Sequence, residues 1–143
     1  MIAIVVIAHQ PLASALVAAA KHVYSRDPCA ASRELVGFDV PPAADAGASL
    51  AEAKTLVQRV DKGQGVLILT DIPGATPGNV ASRLAQPGQV AVVAGVNMPM
   101  LLRSLCYCEL SLQELVGKAL AGGTAGIQDL APTATGDATQ KTR

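Results

Sequence analysis

The sequence predicts a single doubly wound α/β domain with a mainly parallel central sheet. Three short apolar runs, 2–8, 65–70 and 90–96, each end at a polar residue. Each run leads into a proline-containing stretch and then into residues with helical periodicity. Strands that alternate with helices in this way form parallel sheets that helices cover on both faces.

Composition limits the functions that the chain can have. Its 143 residues are enough for one domain, half of them are apolar, and the 11 basic side chains are balanced by 11 acidic ones. A nucleic-acid partner would require a basic face, so none is expected. The first apolar run is shorter than the roughly 20 residues of a membrane span and lacks the basic flank of a signal peptide. We therefore expect a cytoplasmic protein.

The cysteines favour a reducing environment. Cys29, Cys106 and Cys108 make an odd number, and their spacing does not resemble a disulfide framework. Cys106 and Cys108 have no second Cys or His pair near them in sequence, so no metal site is predicted. We expect three reduced thiols.

In the first half of the chain, a helix is predicted from about 11 to 23. Its apolar stripe comprises Leu12, Leu16 and Val23, with Ala15, Ala19 and Ala20 between them. The more polar segment 35–40 is predicted as an edge strand. Ser49 and Glu52 have the spacing of a capping box, which predicts the start of the next helix. That helix is expected to end near 62–63.

In the second half, Thr76 before Pro77 predicts an N-cap followed by proline at the first helical position. A further helix is predicted from 98 to about 106. Ser111 and Glu114 form a second capping box and predict a last helix, closed by glycines at 122–123, whose buried face includes Leu120.

The last residues are weakly patterned. Residues 126–130 are predicted as a short final strand. From 131 to 143 the composition of Pro, Thr, Ala, Gly and Lys offers little to bury, which predicts a disordered tail. The domain is thus expected to span 1–130.

Polar residues follow all three apolar runs, namely His9, Asp71 and Asn97. The carboxyl ends of parallel strands meet at one edge of a sheet, which is where ligands bind in open α/β folds. A carboxylate beside an imidazole fixes its tautomer and stabilises its cationic form, as a nucleophile or a base requires. Each residue could alternatively serve only to end its strand.

The turn from Gly74 to Gly78 opens onto the predicted helix and resembles an anion site. Free backbone N–H groups and the helix dipole would both favour a phosphate there. Neither a Walker A motif nor G-x-G-x-x-G is present, so a nucleotide is not indicated. No G-x-S-x-G elbow exists for a serine nucleophile, and His22 is expected at the surface near a helix end.

Three separated motifs carry a family resemblance. Ala8-His9, the segment 69–83 (LTDIPGATPGNVASR) and the segment 94–101 (AGVNMPML) occur in this order. Together they resemble the IIA domain of the mannose family of the phosphoenolpyruvate-dependent sugar phosphotransferase system, over about residues 1 to 130.

The resemblance implies a phosphocarrier. His9 would accept a phosphoryl group on Nε2 from the carrier protein HPr, and Asp71 would orient its ring. Gly74, Ala75 and Thr76 would bind the phosphoryl oxygens, without a metal or other cofactor. His9 would then pass the group to a IIB protein, and the membrane would be reached only through further transporter subunits. The family also implies a homodimer in which the final strand pairs with the partner's sheet.

Four positions depart from the family pattern. Gln10 replaces a glycine after the histidine, Pro73 replaces an aromatic residue, and Ala75-Thr76 replaces Gly-Ser. The N–H of Ala75 and the hydroxyl of Thr76 keep the donors, so partner contacts are expected to differ more than phosphoryl binding. Sugar transport, a regulatory module switched by phosphorylation of His9, donation to a dihydroxyacetone kinase, and an anion-binding protein that is never phosphorylated remain open.

Overall fold

The computed structural model describes residues 1–131, which form a four-stranded sheet in the order β2-β1-β3-β4. All neighbouring strands are parallel. The strands are β1 (Ala3–His9), β2 (Leu35–Val40), β3 (Val66–Thr70) and β4 (Val90–Ala94). The three apolar runs and the edge position of β2 are therefore confirmed.

Five α-helices connect or follow these strands. They are α1 (Leu12–Val23), α2 (Ala46–Val60), α3 (Thr76–Arg83), α4 (Met98–Cys106) and α5 (Leu112–Ala125), with a short 3₁₀ turn at Ala30–Ser32. One layer of α1, α4 and α5 packs on one face of the sheet, and α2 with α3 packs on the other. The doubly wound architecture is confirmed.

The central strands explain the apolar runs. Residues 3–8 of β1 are all buried, because successive side chains point alternately into the two core layers. Ile4 and Val6 face α1 and α4, whereas Val5 and Ile7 face α2 and α3. A strand buried on both faces needs no polar alternation.

The buried face of α1 differs from the prediction. Leu12 is 38% exposed and Val23 54% exposed, whereas Ala13 and Val17 face the sheet together with Ala20, which was predicted. The contact surface of α1 is made by small residues because the helix lies close to β2. A Cβ added at Gly37 of β2 would be 3.1 Å from the backbone of Ala13.

The start of α2 also differs from the prediction. The helix begins at Ala46, and the Asp45 carboxylate caps it by accepting from the N–H of Ala48 at 3.0 Å. Ser49 is buried inside the helix, so the predicted capping box at Ser49 was wrong. The two signals overlap in sequence, and Asp45 provides the cap one turn earlier.

Of two further predictions at helix starts, the first is wrong and the second is confirmed. Thr76 is the first residue of α3 and not its N-cap, a position that Ala75 occupies. The second capping box is confirmed: Ser111 Oγ accepts from the N–H of Glu114, and the Glu114 carboxylate accepts from the N–H of Ser111. Leu120 was predicted in the buried face of α5 but is 52% exposed.

The predicted strand at 126–130 is absent from the single chain. Residues 127–130 have no regular secondary structure and pair with none of the four described strands. The predicted disordered tail lies, apart from Ala131, outside the described residues. Among residues 1–131, no helix combines the length and hydropathy needed to cross a membrane.

Candidate functional site

His9 is the last residue of β1 and the first exposed one. The six preceding residues of the strand are buried, whereas the His9 side chain is 48% exposed. The backbone of Gln10 extends the pairing of β1 with β2 by one residue, since its N–H donates to Val40 O at 3.0 Å. The imidazole therefore projects into solvent from a backbone that the core fixes.

Asp71 follows β3 and holds His9 at two points. Its Oδ2 accepts from His9 Nδ1 at 2.7 Å and from the His9 backbone N–H at 3.0 Å. Its Oδ1 accepts from the N–H of Ile72 at 2.9 Å. The Asp71 side chain is only 9% exposed, so the carboxylate is nearly enclosed by its donors.

These contacts show which nitrogen of the His9 ring carries the proton when the ring is neutral. A carboxylate only accepts hydrogen bonds, so the proton of the neutral imidazole lies on Nδ1. The lone pair of Nε2 is then free and directed away from Asp71. In this tautomer, Nε2 is the ring atom that can act as a nucleophile.

The pKa of Asp71 is lowered from its ordinary value of 3.8. Burial by itself would raise this pKa, but the hydrogen bonds from the backbone and ring of His9 and from the N–H of Ile72 outweigh it. Asp71 is therefore ionised at neutral pH. Its charge stabilises a positive charge that develops on the His9 ring.

The turn after Asp71 leads into the amino end of α3. Gly74 has φ +86°, a conformation that glycine adopts without strain. The first hydrogen bond of α3 runs from the N–H of Asn79 to Ala75 O at 2.9 Å. The N–H groups of Ala75 and Thr76 precede this bond, so they have no acceptor within the helix. Thr76 is exposed.

Gly78 is the residue that keeps this turn compact. A Cβ built at Gly78 would lie 2.6 Å from Ile72 O, which is closer than van der Waals contact permits. Any larger residue would push the amino end of α3 away from the segment that follows Asp71. The glycine therefore sets the distance between the helix and the His9–Asp71 pair.

The third polar strand end has a structural role. Asn97 Oδ1 accepts from the N–H of Met100 at 2.9 Å and so caps α4. Its Nδ2 donates to Gly123 O at 3.1 Å, which joins α4 to α5. The structure thus brings together His9 and Asp71, while Asn97 is occupied by helix contacts.

Several features of this region were missed from the sequence. The backbone N–H groups of His9 and Ile72 hold Asp71, and a backbone donor leaves no signal in residue type. Thr70, the residue before Asp71, is 1% exposed, and its hydroxyl has no hydrogen-bond partner in the part of the chain that the structure describes. It borders a cavity of about 350 Å³ beside Gly74 and Gly78.

The fold and the site together define a doubly wound domain that presents a carboxylate-oriented histidine at the ligand-binding edge of its sheet. Residues 3–120 match the family model EIIA-man, described as the PTS system fructose IIA component. The chain belongs to this family, whose members are phosphotransferases of the sugar phosphotransferase system.

A curated relative agrees with this assignment. The chain is 34% identical over 102 residues to the "PTS system mannose-specific EIIAB component" of Escherichia coli strain K12, a match that covers 68% of this chain and 32% of that protein. The chain thus spans about a third of the length of the curated relatives that it matches.

Two solved structures are similar in fold. The mannose/sorbose-specific IIA subunit from Enterococcus faecalis superposes with a TM-score of 0.76 at 19% identity, covering 91% of this chain and 95% of that one. The IIA protein associated with the fucose utilization operon of Streptococcus pneumoniae gives a TM-score of 0.68 at 26% identity, covering 83% and 88%.

Proposed function

We propose that this chain is a phosphohistidine carrier that accepts a phosphoryl group from HPr on His9 Nε2 and passes it to a IIB protein. The observation that carries the proposal is the exposed His9 ring, whose Nδ1 is bound by Asp71 at 2.7 Å. Membership of the IIA family supplies the reaction class. The curated relative that carries both A and B components supports a IIB protein as acceptor.

The proposed transfer forms one N–P bond and breaks another, without a cofactor. The lone pair of His9 Nε2 attacks phosphorus, and the N–P bond of the donor's phosphohistidine breaks with its electron pair returning to the donor ring. The His9 ring keeps its proton on Nδ1 and becomes cationic, and the ionised Asp71 stabilises that charge. The return step to the acceptor uses the same geometry in reverse.

We propose that Gly74, Ala75 and Thr76 bind the phosphoryl oxygens. Their backbone N–H groups lie at or before the start of α3, where the helix dipole favours a negative charge. The exposed Thr76 can add its hydroxyl as a further donor. Because these groups are fixed before the reaction, they stabilise charge in the transition state without reorganising.

The alternative is a regulatory module in which phosphorylated His9 switches affinity for a partner and is not discharged to a transport IIB protein. Gln10 and Pro73, which depart from the family, are both exposed and flank the two site residues in sequence. They change the surface that a partner would contact. A second alternative is that phosphorylated His9 donates its phosphoryl group to a dihydroxyacetone kinase.

We also propose that the chain forms a homodimer through residues 126–131. Ile127 is 78% exposed and Leu130 88% exposed, and the segment is not paired with any described strand. The outer edge of β4 has no neighbouring strand within the described chain, and beyond Val90, which bonds to Gln86, its backbone groups can pair with another copy. Replacing Ile127 and Leu130 by Asp should yield a monomer in sedimentation analysis.

The proposed function is tested by phosphorylation in a reconstituted system. Phosphoenolpyruvate, enzyme I and HPr should place an acid-labile, base-stable phosphate on the wild type and on His22→Ala, but not on His9→Ala. Added IIB protein should then remove the label. Label that persists with every IIB protein tested supports the regulatory alternative, whereas an unlabelled wild type contradicts the carrier proposal.

A further inference from the structure

A second cavity lies at the edge of the sheet opposite to His9. It has a volume of about 340 Å³ and is bordered by the end of α1, the loop after it, the start of β2 and the end of α4. All strands are parallel, so this edge is the amino edge. The seven residues of β1 separate it from His9 by about 20 Å. We call it the amino-edge cavity.

The floor of the amino-edge cavity is apolar. Ala20, Leu35 and Leu105 line it and are buried in the core layer of α1, α4 and α5. The half-buried Tyr24 also lines it, and the Tyr24 hydroxyl contacts Leu102 O at 3.3 Å and Cys106 Sγ at 2.9 Å. These contacts to α4 fix the ring before any ligand binds.

The charged residues at the rim are mainly basic. Lys21, Arg33 and Asp27 line the cavity. Within residues 1–131, no carboxylate oxygen lies within 4.0 Å of the Lys21 or Arg33 nitrogens. Asp27 is the one acidic residue among those that line the cavity, and its Oδ1 accepts from the N–H of Cys29 in its own loop at 2.9 Å. The two cations are thus available to a ligand.

Two further features beside the cavity bear on its charge. At the end of α1, two carbonyl groups accept backbone hydrogen bonds: the N–H of Tyr24 donates to Ala20 O, and the N–H of Ser25 donates to His22 O. The negative end of the helix dipole also favours the cationic Lys21 in this last turn. Burial, together with the Cys106 hydrogen bond, raises the pKa of Tyr24 to about 12, so the phenol is neutral. The charge of the lining is set by Lys21, Arg33 and Asp27.

The Arg33 guanidinium adds a planar feature. Its central carbon lies 5.9 Å from the centroid of the Tyr24 ring, within the range of a cation–π contact. A guanidinium beside an aromatic ring offers both a donor pair for a carboxylate and a flat surface for a ring. An apolar floor with a few convergent polar groups is typical of small-molecule sites.

We propose that the amino-edge cavity binds a small aromatic carboxylate, with its ring on the apolar floor and its carboxylate between Lys21 and Arg33. This site is separate from His9, and its occupation does not require phosphorylation. The three chemical requirements are a negative charge, a ring and a size that fits the cavity. Each requirement can be removed from the ligand independently.

The test is an NMR titration of the unphosphorylated full chain with benzoate, benzamide and acetate. Benzoate should shift backbone amides of residues 20–35 saturably, with a dissociation constant of about 1 mM for a ligand of this size. Benzamide lacks the charge and acetate lacks the ring, so both should bind at least tenfold more weakly. Amides near His9 and Asp71 should not move.

Variants of exposed or half-exposed side chains assign the site. Arg33→Gln and Lys21→Gln should each weaken benzoate binding at least fivefold, whereas Arg59→Gln on α2 should bind as the wild type does. The unliganded spectra of the variants show whether each remains folded. Absence of saturable shifts with benzoate, an equal response to benzamide, or unchanged affinity in both cavity variants would overturn the proposal.

Discussion

Replacing Asp71 by Asn tests how the carboxylate acts on His9. In the wild type one oxygen, Oδ2, accepts both the ring and the backbone N–H of His9, while Oδ1 accepts from Ile72. An amide keeps one acceptor oxygen and adds two donors. At least one of the three N–H groups therefore faces an NH₂ group in Asp71→Asn, and the charge that stabilises a cationic ring is lost.

The size of the effect follows from the hydrogen bond to the charged group. Such bonds contribute about 1.5–3 kcal/mol, which corresponds to roughly 10- to 150-fold in rate when the bond strengthens in the transition state. If the amide turns its NH₂ group toward Nδ1, the ring proton moves to Nε2 and the lone pair is blocked. Phosphoryl acceptance from HPr should therefore slow by at least tenfold.

The assay is rapid-quench measurement of phosphoryl transfer from phosphorylated HPr, with Asp39→Asn as the matched control. Asp39 lies near the end of the adjacent strand β2 and accepts from the N–H of Ser14 at 3.0 Å. Its substitution removes a comparable charge-assisted bond at the same edge of the sheet and should leave the transfer rate within twofold. An Asp71→Asn rate equal to the wild type would refute the role of Asp71.

Three further predictions concern stability. The pKa of Asp71 is lower in the folded chain than its ordinary 3.8. The ionised carboxylate therefore stabilises the fold above pH 3.8, and this stabilisation is lost as the pH falls through the folded pKa. The urea unfolding midpoints of the wild type and Asp71→Asn should accordingly converge in acid. Gly78→Ala should destabilise the fold by about 1–3 kcal/mol and slow phosphoryl acceptance. Gly117→Ala should not destabilise it, because a Cβ at that position meets nothing within 4 Å. Equal unfolding midpoints for the two variants would contradict this prediction. Thr70→Val removes an unpaired buried hydroxyl and should stabilise the fold by about 1 kcal/mol. Thr55→Val should not stabilise it, because the Thr55 hydroxyl already donates to Ala51 O. A loss of stability in Thr70→Val would show that the Thr70 hydroxyl has a hydrogen-bond partner in solution.

The sheet could be predicted from sequence because its central strands are buried on both faces. Such a strand must be continuously apolar, and the first polar residue after it marks the edge where ligands bind. His9 and Asp71 stand out for that reason, and the structure places them in direct contact. Parallel pairing of β1 with β3 brings two residues that are 62 positions apart to one point.

Other features depend on contacts that residue type does not record. The buried face of α1 is made of Ala13, Val17 and Ala20, because close approach to Gly37 favours small side chains over the larger Leu12. Asp45 and Ser49 are both good N-caps, and only the path of the chain selects Asp45. Backbone donors and the unpaired hydroxyl of Thr70 have no sequence signature at all.

The identity of the phosphorylated atom tests the central claim most directly. After phosphorylation through enzyme I and HPr, long-range ¹H–¹⁵N NMR of uniformly ¹⁵N-labelled protein distinguishes the two ring nitrogens of each histidine. The hydrogen bond from Nδ1 to Asp71 predicts phosphate on Nε2 of His9, with Nδ1 still protonated. Phosphate on Nδ1 of His9, phosphate on His22, or no phosphate under conditions that fully phosphorylate the Escherichia coli mannose-specific relative would contradict it.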